Sequence, residues 1–221
     1  MNQLAPFDSL GLSEGPSRPS GRFHAVLGGT HTLGRDVALP FPDLLAQMSG
    51  SPVLNLGSAQ AGVDALLDDA VLRFAAEAET VILELPPLRN MSNAFYLVHP
   101  RRNDRFVAPT PLLTALFPEV DFTDIHFTRH LVQTLAATCE ERFGEVASAL
   151  RRMWRERMQE GIDQLPRAVL LDLDEGADMD LAGFGRPLVR LPPPDSDSAH
   201  ADIARALLPY LIPCRSVPAP M

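Results

Sequence analysis

A three-layer α/β sandwich around a five-stranded, mostly parallel sheet is the fold class this sequence predicts, on two observations. First, five short runs are apolar almost throughout: FHAVL (23–27), PVLNL (52–56), TVILEL (80–85), RAVLLDL (167–173) and RPLVRL (186–191). Runs without polar alternation suit strands covered on both faces, as in a parallel sheet. Second, segments with helical periodicity lie between these runs, and strands that alternate with helices build βαβ units.

Taken in order, residues 1–20 are rich in Ser, Pro and Gly and read as a flexible arm. The first strand runs into the loop LGGTHTLG (27–34), which a proline-rich stretch follows. DALLDDAVLRFAAEA (64–78) reads as a helix with Leu67, Val71 and Phe74 near one face. Residues 90–128, after the third strand, mix aromatics, arginines, histidines and prolines and read as an insert. In an open parallel sheet such loops leave from the carboxyl ends of strands, where ligands bind. Residues 129–165 read as one long helix or two joined ones, with Gly144 as the break, and 201–212 as a closing helix. A chain of 221 residues is most economically one domain, here 21–213, with 214–221 as a flexible tail.

The apolar fraction of 46% and charged fraction of 21% are those of an ordinary globular protein. A net charge of −9 argues against nucleic acid as a partner. All 19 basic residues are arginine, which reflects a GC-rich coding bias rather than chemistry. Cys139 and Cys214 have no C-x-x-C partner, so neither a zinc site nor a disulfide framework is indicated. No signal peptide is visible, and no apolar run approaches the ~20 residues of a spanning helix. The expectation is a soluble, cytoplasmic protein without membrane contact, whose oligomeric state stays open. No Gly-x-Gly-x-x-Gly follows the glycines at 28 and 29, and a Walker lysine is impossible without lysine. No cofactor is expected.

Several constellations can carry chemistry. DSAHADIARALLPYLI sets Asp197 three residues before His200, a spacing at which an acid can hold a histidine's tautomer and stabilise its imidazolium. The structural alternative is a helix N-cap by Ser198 or Asp197 beside a surface histidine. HPRRNDRF holds His99, Arg101, Arg102 and Arg105, whose guanidiniums can clamp a sulfate, phosphate or carboxylate. The alternative there is a solvated loop paired with Asp104 and the acidic EVDFTD segment. DIHFTRH spaces His126 and His130 by four, but the third ligand and the water-activating Glu are missing, so no metal is expected. Trp154, Met153 and Met158 lie in an arginine-rich helix and read as core or an oligomer face.

In combination these blocks resemble the SGNH (GDSL-type) hydrolases. Gly28-Gly29-Thr30-x-x-x-Gly34 is similar to their first block, NLGSAQAG (55–62) to their second, and PPLRNMSN (86–93) stands where their third stands. DSAH and the helix after it are similar to the last block. The strings LGGTHTLG, NLGSAQAGVD, VHPRRNDRF, FPEVDF and HFTRHL look like an uncharacterised bacterial family of SGNH-like proteins. The resemblance implies a flavodoxin-like sheet with the first strand between the second and third. It also implies an ester hydrolase or acyltransferase in which Thr30 is nucleophile, His200 base and Asp197 orienter. The oxyanion would be met by the amides of Thr30 and Gly62, with Asn90 or Asn93 supplying a side chain. The substrate implied is a small molecule or glycan, anionic if His99, Arg101, Arg102 and Arg105 select it. The chain departs from the pattern at Gly29, at Thr30, where the family has serine, and in the third block, which lacks the Asn-Asp pair. A threonine's β-methyl crowds attack. The rival reading is therefore a catalytically degenerate module that binds an anionic glycan, a metabolite or a protein partner.

Overall fold

The structure, a computed structural model, describes residue 19 and residues 21–165, 167–173 and 181–211. The expected arm, the tail and Cys214 therefore lie outside the described residues, apart from Pro19. The strands are β1 (His24–Gly28), β2 (Val53–Gly57), β3 (Val81–Glu84), β4 (Tyr96–Val98), β5 (Phe106–Pro109), β6 (Ala168–Asp172) and β7 (Leu188–Arg190). The helices are α1 (Thr30–Leu33), α2 (Phe41–Ser49), α3 (Val63–Leu66), α4 (Asp69–Ala75), α5 (Pro111–Leu116), α6 (Thr128–Thr138), α7 (Glu140–Asp163) and α8 (Asp197–Leu207). The chain packs as two compact units, and the sheet belongs to the unit built from residues within 21–57, 73–85 and 165–211.

The sheet runs β2-β1-β3-β6-β7, and every neighbouring pair is parallel. The fold class is thus α/β, and the first strand does lie between the second and third. Every residue of β1, β3 and β6 is buried, whereas β2 and β7 at the edges are partly exposed. That is why the central runs carry no polar alternation. On one face, Val26, Ile82, Val169 and Leu171 pack with Phe41 and Leu45 of α2 and Ile203 and Leu207 of α8. Burial of such a side chain stabilises by about 1.5–3 kcal/mol.

The sequence reading missed α2 because prolines surround it, yet the prolines help to start it. Pro40 is its N-cap and Pro42 lies in its first turn, where a missing N–H costs nothing and φ is already helical. Gly50, at φ 65°, ends it. The last helix begins at Asp197 rather than at 201, because Ser196 Oγ accepts the Ala199 N–H at 3.4 Å and caps it. The cap is neither Ser198 nor Asp197.

The second unit takes its described residues from 58–72 and 86–164. The insert becomes the antiparallel hairpin β4–β5 followed by α5. The helix expected over 64–78 is broken at Leu67–Asp68, where Asp68 Oδ1 accepts the Ala70 N–H at 2.9 Å. The break in 129–165 falls at Cys139, which adopts an extended conformation, and Gly144 sits inside α7. Trp154 and Met158 are fully buried core, and the Trp154 indole donates to the Pro86 carbonyl at 3.1 Å.

Candidate functional site

The loop LGGTHTLG folds as a strand-to-helix turn, with Thr30 as the first residue of α1 and Gly29 its N-cap. Its organiser is Glu84, at the end of β3 and only 7% exposed. Glu84 Oε2 accepts the main-chain N–H groups of Gly29 (2.9 Å) and Thr32 (3.1 Å), and the Thr32 hydroxyl as well. A Cβ on Gly28 would lie 2.0 Å from Thr32 Oγ1 and 2.3 Å from Glu84 Oε2, so this glycine serves close approach. The carboxyl ends of β1 and β3 form the switch point at which open α/β sheets commonly bind ligands. Here the protein's own carboxylate sits among those amides. The sequence signal for Glu84 was slight: one acid closing an otherwise apolar run.

His200 is 3% exposed, not on the surface. Its Nδ1 accepts the N–H of Phe41, the first residue of α2, at 3.2 Å, and the ring stacks on Phe41. It therefore fills the capping role that α2 otherwise lacks, since Pro40 offers no side-chain acceptor. The hydrogen bond expected from His200 Nδ1 to Asp197 is absent among the described residues. Asp197 is exposed in the first turn of α8, where it complements the helix dipole. Burial, then the nearby charge of His31, push the His200 pKa below its ordinary value, while Asp197 raises it. The ring is accordingly neutral, and its hydrogen bond to Phe41 assigns the proton to Nε2.

In the second unit, Gly62 and Asn90 do come together, as expected. A Cβ on Gly62 would lie 2.0 Å from the Asn90 carbonyl oxygen, which accepts the Val63 N–H at 3.0 Å. The Gly62 N–H, however, donates to Asn103 Oδ1 at 2.8 Å. Asn103 is fully buried; its oxygen also takes the Ala65 N–H, and its nitrogen donates to the carbonyls of His99 and Pro100. It pins the HPRRNDRF loop to the start of α3, a role the sequence reading did not assign. Asn93 is spent locally: its oxygen accepts from Phe95 and Tyr96 and its nitrogen donates to Met91. His99 Nδ1 accepts the Arg101 and Arg102 N–H groups and closes the loop upon itself.

Of the three arginines expected to form a clamp, one is engaged by an acid of its own loop. Arg102 forms a fork with both oxygens of Asp104, each at 3.1 Å. Arg105 lies over the Phe127 ring, 5.7 Å from its centroid, and Arg101 is exposed. His126 precedes α6, so His126 and His130 do not share a helical face, and no cluster able to hold a metal occurs among the described residues.

What this unit does present is a cleft of about 420 Å³ at the start of α6. Arg89, Asn90, Phe127, Thr128, Arg129 and His130 line it, with Gln60 and Asp104 at its wall. Neither the Arg89 nor the Arg129 guanidinium has a partner among the described residues. Asp104, the acid in the wall, is already neutralised by Arg102. Asn90 is 3% exposed; its Oδ1 accepts from the Thr128 hydroxyl at 2.8 Å, and its Nδ2 has no acceptor among the described residues. Gln60, at φ 57°, is the one described non-glycine residue with positive φ, a strain of the sort that gathers at binding sites.

The fold is that of an α/β protein with a flavodoxin-like strand order, carrying a second, mostly helical unit with a cationic cleft. The chain belongs to the DUF6473 family, a domain of unknown function, whose profile matches residues 8–185. No curated protein matches it. Among solved structures, the lipase Lip_vut3 from goat rumen metagenome is similar at 9% identity and a TM-score of 0.32, over 84% of this chain and 97% of that one. A likeness at that level carries no argument about activity. No helix among the described residues is long and apolar enough to cross a membrane.

Proposed function

We propose that this chain is a binding module for a small anionic molecule, taken up in the cleft at the start of α6. The observation that carries the reading is the pair of unpartnered guanidiniums, Arg89 and Arg129, facing one concave site. Other arginines are held by acids, as Arg22 and Arg167 are by Glu79, Arg157 by Asp64 and Arg190 by Asp172, whereas Arg89 and Arg129 line one cleft together. The volume falls within the ~300–1,000 Å³ of small-ligand pockets. The net charge of −9 repels polyanions at long range, so a local cationic cleft favours a small, specific ligand. Titration calorimetry of the full chain with inorganic phosphate tests it. Binding on the order of 1 mM or tighter is expected, and its loss in Arg89→Gln/Arg129→Gln. Heat of binding unchanged in that variant overturns the reading.

A second reading keeps acyl transfer at Thr30, and it draws on the position of Thr30 at the strand-to-helix turn. Against it stands the tautomer of His200, which leaves Nε2 protonated and no lone pair to deprotonate a hydroxyl. Hydrolysis of p-nitrophenyl acetate that both Thr30→Ala and His200→Ala abolish would favour this second reading.

A further inference from the structure

We infer that the ligand of the α6 cleft is a ring-bearing phosphomonoester, its phosphate at the helix N-terminus and its ring on Phe127. This rests on the anion-binding reading above and names the ligand class. The phosphate end is argued from donors. The main-chain N–H groups of Arg129 and His130 belong to the first turn of α6 and have no acceptor among the described residues. Phe127, the N-cap, contributes no side-chain hydrogen bond to them. The first turn of a helix is a ready anion site, carrying about half a positive charge.

Independently of the helix, the Asn90 side chain is buried, its oxygen is fixed by Thr128, and its nitrogen is left to the cleft that it lines. With the two guanidiniums, these groups carry about two and a half positive charges, more than the single charge of a carboxylate balances. They match a phosphate group, with its three terminal oxygens and about −1.5 to −2 charge. A sulfate ester, with one charge, fits the two arginines and the helix terminus less well.

The ring end is argued from Phe127. It is 43% exposed and lies in the wall beside the cations. Its main chain pairs with Arg105, and the Arg105 guanidinium sits over its ring, so the aromatic plane is held in place. A cleft of 420 Å³ has room beyond one oxyanion, and a fixed, half-open aromatic face offers stacking to a planar or sugar ring.

The test is calorimetric titration of the full chain with phenyl phosphate, phenyl sulfate, benzoate and inorganic phosphate. Phenyl phosphate should bind about tenfold more tightly than inorganic phosphate and than either other phenyl anion. In Phe127→Leu the preference for phenyl phosphate over inorganic phosphate should shrink to about twofold or less, and Phe127→Tyr should restore it. Phenyl phosphate binding no better than inorganic phosphate, or a preference that survives in Phe127→Leu, overturns the ring assignment while the anion reading stands. A stronger response to phenyl sulfate or benzoate overturns the phosphate assignment. If none of the four anions binds, or if Arg129→Gln binds them all as well as wild type, the anion reading falls with it.

Discussion

The turn after β1 and the cleft at the start of α6 are built from the same kinds of groups and treat them in opposite ways. At the turn, a buried acid and a buried histidine are both spent on main-chain N–H groups: Glu84 on Gly29 and Thr32, His200 on Phe41. In the cleft, two guanidiniums, two helix amides and the Asn90 nitrogen have no protein partner among the described residues. A buried polar group is costly unless it is hydrogen-bonded, so a satisfied one speaks first for structure. Donors left open in a concave surface speak for something that arrives. Among the SGNH-like residues, His200 is thus spent on a helix start of the sheet unit, whereas Asn90 is one of the cleft's open donors.

The sharpest way to break this contrast is Glu84→Leu. It strands three donors, each costing about 1–3 kcal/mol, so urea denaturation should show a loss of about 4 kcal/mol. A loss under about 1 kcal/mol would mean that the turn does not depend on its carboxylate. Next in size is His200→Leu, which strands the Phe41 N–H and should cost about 2 kcal/mol at pH 7.

The same histidine makes a pH prediction. Its folded pKa is lowered, so its unfolded form binds a proton first. Its contribution is complete above about pH 6.5 and is lost as the pH falls from there through the lowered folded value. Stability measured from pH 8 to 5 should therefore fall more steeply in wild type than in His200→Leu. Equal slopes would place the ring in water rather than in the core.

Smaller again is Arg129→Gln, with anion affinity reduced about tenfold, or about 1.4 kcal/mol, and stability changed by less than about 0.5 kcal/mol. A variant that melts early but binds normally would make this arginine structural. The smallest effect belongs to Asp197→Ala, about 0.5 kcal/mol from the helix dipole. An Asp197→Ala loss as large as that of His200→Leu would revive the Asp–His pairing.

Much of the fold was legible in the residues, because burial on both faces of a central strand demands an uninterrupted apolar run. β1, β3 and β6 appear within a residue or two of where those runs lie. The helices were harder. The proline-rich stretch that holds α2 received no helix, although proline at a helix start is favourable, and the break at Cys139 has no glycine to announce it.

The site was less legible still. Thr30, Gly62, Asn90, His99 and His200 were singled out as chemistry; Gly62, His99 and His200 are local construction in which a main-chain group meets a side chain, whereas Asn90 lines the cleft. Arg102 and Arg105 are engaged by neighbours, an acid two residues away and a ring twenty-two residues away. Arg89 and Arg129, forty residues apart, drew no notice. The sequence by itself determined the parallel sheet, its central strands and the glycines at its turns, because those follow from periodicity and from which residues tolerate close approach. Only the tertiary structure decided which acids, amides and guanidiniums are already satisfied. Pairing depends on distances across the fold, and no spacing along a chain encodes it.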